Sequence, residues 1–358
     1  MANLEGRGLL GVRIASGLTA LTLLFWTFHR VNLARVSESM AGVGLLGFAL
    51  IATPQLLSLC LECIGWRRVF RVLGSSVAVR QLLRVRLATE ALAQTLPLGV
   101  VWAESLKPLM LGRHAGLKTS DSVAGIVARK YLLMASQAVY VALFAVCGFA
   151  TLRRLSVSLF GHAEIAWFAF AVSGLLCLLA FGVSGAFTCG RVADRVLGLL
   201  RSLPSRRLRE HLNLRQAAFA HTDDLTARYF AAGFVQTTLA PGVFFLCGWL
   251  FESLESFLIL KLLGVQLDFV TVASVEVMLS FVKNVLFILP SGIGVQDIGY
   301  VSCLAALGVP DALNLGAAFS VLKRGKELFW ATLGYALLAS EARAPALPAT
   351  PRLGVDVA

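Results

Sequence analysis

The chain has 358 residues, of which 58% are hydrophobic and 15% charged, with a mean hydropathy of +0.79. An ordinary soluble domain is about 45–50% apolar and about 25% charged, so the composition excludes a soluble enzyme, a disordered chain and a secreted disulfide scaffold. Thirty-two basic residues (25 Arg, 7 Lys) against twenty acidic ones give a net charge of +12. The arginines cluster in loops between apolar segments, where the positive-inside rule and anionic lipid account for them; no nucleic-acid partner is expected.

Taken in order, the apolar stretches predict about six full spans. The first runs from Leu9 to Phe28 and ends in Phe25-Trp26-Thr27-Phe28. With no small-residue cleavage site there, it is expected to stay as a helix. The second covers Ala41–Ile64; Cys60 and Cys63 within it read as small apolar residues beside Glu62 rather than a redox pair. A stretch at 87–112 is interrupted by Pro97 and Gly99. Spans over Ser122–Ala150 and Ala163–Cys189 follow, joined by a short loop. In the basic linker 191–228, Leu197, Leu200, Leu208 and Leu212 recur among arginines. Short amphipathic helices on the inner leaflet and a solvated connector both fit that pattern. The fifth span, Tyr229 to about Leu263, is long and expected to be kinked, tilted or broken near Glu252–Glu255. A second interrupted stretch, 272–308, contains Pro290, Gly292 and Gly294. The last span covers Asn314–Ser340, before a Pro/Ala-rich tail at 341–358.

The expected fold is an all-α integral membrane protein with an N-terminal half (1–190), the linker, a C-terminal half (229–340) and the tail. Arg67, Arg68, Arg71, Arg80, Arg84 and Arg86 place the loop after the second span in the cytoplasm, with the linker and both termini. The chain then enters and leaves 87–112 on one face of the membrane and 272–308 on the other. Each stretch reads as a re-entrant helical hairpin, and one from each face is the outline of an inverted repeat.

The repeat is visible in the residues themselves. Leu96-Pro97-Leu98-Gly99-Val100-Val101-Trp102-Ala103-Glu104 and Leu289-Pro290-Ser291-Gly292-Ile293-Gly294-Val295-Gln296-Asp297 share the pattern L-P-x-G-[VI]-x-x-x-[ED] at an offset of 193 residues. Each is followed by a glycine turn (Gly116, Gly308) and a span carrying adjacent cations, Arg129-Lys130 and Lys323-Arg324. Proline removes a backbone donor and glycine permits unusual dihedrals, so the helix breaks there. Glu104 and Asp297 then fall near the start of the second half-helix. Two readings stand: they satisfy the freed N–H groups and the helix dipole, or they contact a cationic group or proton in a cavity. For Lys323 and Arg324 the alternatives are a phosphate-bearing headgroup, which arginine grips with a planar fork, and a structural pair with Glu327. Arg129, Lys130 and Lys326 stand within snorkelling reach of the cytoplasmic face. Glu252, Glu255, Glu276 and Lys283 read as structural or interfacial charges.

ILPSGIGVQD followed by SVLKRGKELFWATLGY resembles the signature of the lysylphosphatidylglycerol synthase transmembrane-region, or flippase-like, family. That signature is a GxGvqE turn and then an lLrRxrEl helix. LPLGVVWAESLKPL is similar to the family's P-x-x-x-G-E-x-x-R-x-x-x-L segment. Asp297 stands where the family usually has Glu, Lys107 where it often has Arg, and Ala103 where it has Gly. The resemblance implies a membrane domain that moves or presents a lipid across the bacterial inner membrane. Its best-known members fuse that domain to a soluble aminoacyl-transferase, and this chain is expected to be a stand-alone member without one. Together with the charge pattern, it makes Glu104, Lys107, Arg129, Lys130, Gln296, Asp297, Lys323, Arg324 and Glu327 the headgroup candidates. The expected ligand is a lipid with an anionic or aminated headgroup. Anionic inner-leaflet lipids, a second copy of the chain or biosynthetic enzymes are the expected partners. No GxxxxGK[ST] loop, HExxH or Ser/His/Asp set occurs, so no cofactor, metal or catalysis is expected. The rival function is a non-transporting accessory or scaffold in a hopanoid or glycolipid pathway.

Overall fold

A computed structural model describes residues 22, 31–96, 99–189, 192–201, 210, 213, 216–285 and 294–343. Most of the expected first span lies outside the described residues. So do Pro97, Pro290, Gly292, Leu208, Leu212 and the tail beyond Arg343. Every regular element among the described residues is a helix.

Helix α1 (Leu33–Ala41) starts where Asn32 Oδ1 accepts from the backbone N–H groups of Ala34 and Arg35, and it leads into α2 (Gly44–Val72). Next come α3 (Val79–Thr95) and α4 (Gly99–Ala115), then α5 (Thr119–Cys147), α6 (Phe149–Phe160) and α7 (Ile165–Thr188). The linker folds as α8 (Val192–Arg201) and α9 (Gln216–Ala231). A π turn, Val235–Leu239, opens α10 (Ala240–Leu262), followed by α11 (Phe269–Val285), α12 (Val295–Ala306) and α13 (Ala312–Arg343). Four of these stretches are long and apolar enough to cross a membrane: Gly44–Val72, Thr119–Cys147, Ala166–Thr188 and Val235–Leu262. α13 is just as long, but its Lys323, Arg324, Lys326 and Glu327 set it apart from them.

The repeat reaches well beyond the motif. An offset of 193 residues carries α2 onto the run Val235–Leu262, α3 onto α11, and α5 onto α13. Each unit is therefore a long helix, a turn, two shorter helices, a second turn and another long helix. The turns match in conformation: Gly74 and Gly264 both have φ of 80°, and Gly116 and Gly308 have φ of 65° and 79°. At the first turn of each unit the helix closes in the same way, Ser75 N donating to Phe70 O at 2.8 Å and Val265 N to Leu260 O at 2.9 Å. Within the first unit α3 and α4 run antiparallel. Gly99 lies against the Leu92 and Ala93 carbonyls at one end, and Gln81 Nε2 donates to His114 O at the other. Each of the two is about 25 Å long at 1.5 Å per residue.

The units exchange helices. α2 packs along α10, where a Cβ on Gly65 would meet the Phe245 ring at 2.8 Å and one on Gly248 would meet Ser58 Oγ at 3.2 Å. α13 of the second unit lies on α3 of the first, and a Cβ on Gly334 would stand 2.5 Å from Leu87 O. The end of α5 answers by packing against α11, Tyr140 Oη sharing a hydrogen bond with Ser253 Oγ at 2.6 Å and reaching Ala273 O. Two of the apolar clusters among the described residues are large. One gathers Ile51, Leu260, Val272 and Phe319, and the other Trp66, Phe70, Leu132 and Phe245.

Two expectations need revision, and the linker decides between its two readings. α10 continues unbroken through Glu252–Glu255, because Glu255 is neutralised by Lys326 of α13. The irregularity lies upstream, at Gly233 (φ 96°) and the π turn. Pro241 has no N–H to offer the carbonyl of Thr237, and Tyr229 Oη donates to that carbonyl instead, at 2.5 Å. The connection between the third and fourth spans contains the helix α6 rather than a plain loop. In the linker, Leu197 is buried and Asp223 of α9 caps α8, accepting from Ala193 N at 2.7 Å and Asp194 N at 2.9 Å. Helices therefore replace a simple connector there.

The Gly334 contact is with backbone and cannot yield by a rotamer change. Gly334→Val is expected to lower the thermal unfolding midpoint in detergent by the equivalent of about 1–3 kcal/mol. Gly182→Val, where nothing stands within 4 Å, should stay within about 0.5 kcal/mol of the parent.

Candidate functional site

Successive residues of a helix point about 100° apart, so two adjacent cations address different neighbours. Arg129 and Lys130 on α5 do this. Arg129 turns inward, is 2% exposed, and donates from Nη2 to Glu62 Oε2 on α2 at 2.8 Å. Its guanidinium lies 5.3 Å over the Trp66 ring. Glu62 also accepts from Arg86 Nε on α3 at 3.3 Å, and Arg86 pairs in turn with Glu90 one turn along. Lys130, its side chain 44% exposed, reaches α4 instead, where its Nζ stands 2.6 Å from Glu104 Oε1. Lys107 Nζ meets the same oxygen at 2.6 Å. The other carboxylate oxygen, Glu104 Oε2, is buried without a partner.

The second unit repeats the division. Lys323 turns inward, donating to Glu276 Oε1 on α11 at 3.0 Å and to Ser256 Oγ on α10 at 3.1 Å. The hydroxyls of Ser256 and Tyr300 also donate to Glu276. Arg324 turns toward α12, its Nη2 lying 3.3 Å from Asp297 Oδ2 and its Nη1 donating to Glu327 Oε2 at 2.7 Å. Asp297 Oδ2 accepts as well from Gly294 N at 2.8 Å, closing the turn that Gly294 makes with φ of 84°. Lys326 is held by both oxygens of Glu255, at 2.7 and 2.8 Å.

A common rule covers both units. The inner cation, Arg129 or Lys323, is buried and neutralised by a carboxylate from another helix. The outer cation, Lys130 or Arg324, ties the long helix to the helix carrying Glu104 or Asp297. Asp297 accepts from the Gly294 N–H, as the first reading expects, and pairs with the Arg324 guanidinium. Glu104 is held by two ammonium groups. Gln296 is 4% exposed, and its Nε2 has no partner among the described residues. It stands one turn before Tyr300 on the same helical face.

Sequence reasoning named Glu62 only beside the cysteines and Arg86 only as a loop charge, passed over Glu90, and read Glu255 and Glu276 as structural or interfacial charges; the two pair with Lys326 and Lys323. One signal was there to be read: Glu62 and Glu252 stand at the same distance ahead of the repeat-related glycines Gly74 and Gly264.

An all-helical bundle with four apolar spans and charges paired across its interior defines an integral membrane protein. Residues 9–333 match the family model described as the lysylphosphatidylglycerol synthase TM region, and the chain belongs to that family. No curated protein and no solved structure gives a match.

Removing one partner of a buried pair leaves an uncompensated charge, at about 3–5 kcal/mol. Glu62→Gln, which strands Arg129, is expected to fall in that range in thermal or denaturant unfolding. Lys130→Met, which removes a half-exposed ammonium and leaves Lys107 on Glu104, should cost less than about 1 kcal/mol.

Proposed function

We propose that the protein is a flippase-like translocase, carrying or presenting a polar-headgroup lipid across the bacterial inner membrane. The observation that supports this most is the repeat-related pairing of Lys130 with Glu104 and of Arg324 with Asp297. In each unit one cation is locked away in the interior. A second, more accessible one is held by a carboxylate on the helix that follows a break. An anionic phosphate can exchange into the second pair without exposing the first. Arg324 offers the bidentate fork that suits phosphate, while Asp297 and Glu104 suit an amine or hydroxyls. Membership of the family supports the same reading.

In this account the pairs α3–α4 and α11–α12 are re-entrant hairpins dipping from opposite faces, with both termini and the linker in the cytoplasm. Irregular backbone at membrane depth is tolerated against protein or a water-filled cavity, and headgroup sites of inverted repeats form where such segments meet. The role is binding and transfer, without catalysis.

Two measurements test it. In a background lacking the seven native cysteines, Lys118→Cys is expected to label only from the cytoplasm and Gln266→Cys only from outside. Labelling of both from one face contradicts the opposed hairpins. In liposomes, the purified protein should accelerate flip of a labelled anionic or aminated phospholipid. Asp297→Ala and Arg324→Ala should each lose that acceleration, Asp297→Glu should retain part, and Arg324→Lys less, because a point charge replaces a fork. If wild-type liposomes flip no tested lipid faster than empty ones, while the alanine variants still complement a deletion strain, a scaffold role takes its place.

A further inference from the structure

Between α5, α10 and α11 lies a cavity of about 70 Å³. Its wall is mostly apolar, Trp249 of α10 included, but several polar groups face it: Gln137 and Tyr140 from α5, Glu252 and Ser253 from α10, and Glu276 and Ser280 from α11. A water molecule needs only about 10–15 Å³ of such space and two to four polar partners, so the cavity has room for water beside its polar groups.

Glu276 stands in the partition between this cavity and Lys323. It lines the cavity, and its Oε1 also takes the Lys323 ammonium at 3.0 Å. Among the described side chains, titratable and charged groups face it from four helices. They are Tyr140 on α5, Glu252 and Glu255 on α10, Tyr300 and Cys303 on α12, and Lys323 on α13. Lys323 is the cation among them that bonds Glu276 directly, and it directly precedes Arg324, the outer cation of the headgroup site. The first unit has no counterpart. There the inner cation is Arg129, which keeps its charge at any ordinary pH, and its partner Glu62 is tied to two guanidinium groups.

We propose that Glu276 is a proton-binding site reached through this cavity, and that its protonation releases Lys323 to the headgroup site. The proton passes from a hydronium ion in the cavity water to a Glu276 carboxylate oxygen, leaving water behind. No other covalent bond changes, and Lys323 keeps its charge. Without its carboxylate, the ammonium on α13 is left with Glu252 and with Glu255, which Lys326 already holds, and a lipid phosphate on Arg324 competes with them for it. Proton entry thus becomes coupled to headgroup binding, which makes the proton the driving ion. The lipid half of this proposal rests on the translocase reading; the protonation half does not.

The test separates the two halves. Infrared difference spectra of the protein in nanodiscs, recorded across a pH titration, should show a protonated-carboxyl band that Glu276→Gln lacks. Because Glu276→Gln strands Lys323, the double variant Glu276→Gln/Lys323→Met is measured beside it. Trp249 also borders the cavity, so its fluorescence should shift with the same midpoint. In liposomes, an imposed proton gradient should speed flip of a labelled anionic phospholipid several-fold for wild type and leave the double variant unaffected. A band that titrates without flip of any lipid upholds the proton site and sinks the lipid half. Identical spectra for wild type and both variants overturn the proton site. So does a Trp249 response to sodium chloride, but not to choline chloride, at fixed pH, which would assign the cavity to an alkali cation.

Discussion

An ammonium or guanidinium group carried to the centre of a bilayer costs about 2.5–3.5 kcal/mol on insertion scales, and an unpaired one inside a protein costs several kcal/mol more. The placement of charge in this protein follows from that constraint. Arg129, Lys323 and Lys326 each meet a carboxylate carried by a different helix, Glu62, Glu276 and Glu255. Because these partners come from α2, α10 and α11, the pairs fasten the long helices to one another across the bundle. Lys130 and Arg324 are the outer members, half-exposed and partly exposed respectively, each bonded to a helix that follows a break. Their interactions are the ones an incoming anion can replace at least cost.

Packing links the two units as firmly as charge does. α13 belongs to the second unit but rests on α3 of the first, through the close approach at Gly334 and a hydrogen bond between Thr95 Oγ1 and Tyr335 Oη at 2.5 Å. Gly148, at the end of α5, comes correspondingly close to Ser274 of α11. A shift of either helix pair is therefore felt by the long helix of the other unit. That arrangement suits the rocking of one repeat against the other about a shared site. The same coupling gives the Glu276–Lys323 pair its leverage, since Lys323 sits on the helix that spans both units.

Much of the fold was legible because membrane helices announce themselves by length and apolarity. The spans expected at Ala41–Ile64, Ser122–Ala150 and Ala163–Cys189 overlap α2, α5 and α7 almost throughout. The motif at Leu96–Glu104 coincides with the end of α3 and the start of α4, and Gly294 of the second motif with the start of α12, while 286–293 lie outside the described residues. The partners of the cations were not legible. Glu62 lies far along the chain from Arg129, and a contact between α2 and α5 leaves no periodic trace. The break expected at Glu252–Glu255 was misplaced for the same reason: two carboxylates in an apolar run look disruptive until Lys326 arrives from α13. The actual irregularity depends on Pro241 and on the Tyr229 hydroxyl, which acts through a contact eight residues away in the chain.

The central claim is that a lipid headgroup enters between the outer cations and their carboxylates while the inner pair of the first unit, Arg129–Glu62, stays closed. An experimental structure in nanodiscs containing an anionic phospholipid tests it most directly. The account predicts a headgroup phosphate within hydrogen-bonding distance of Arg324 or Lys130, with the Arg324–Asp297 or Lys130–Glu104 contact lengthened and Arg129–Glu62 intact. Lipid bound only along the outer apolar faces, with both outer pairs closed as they are here, would contradict it.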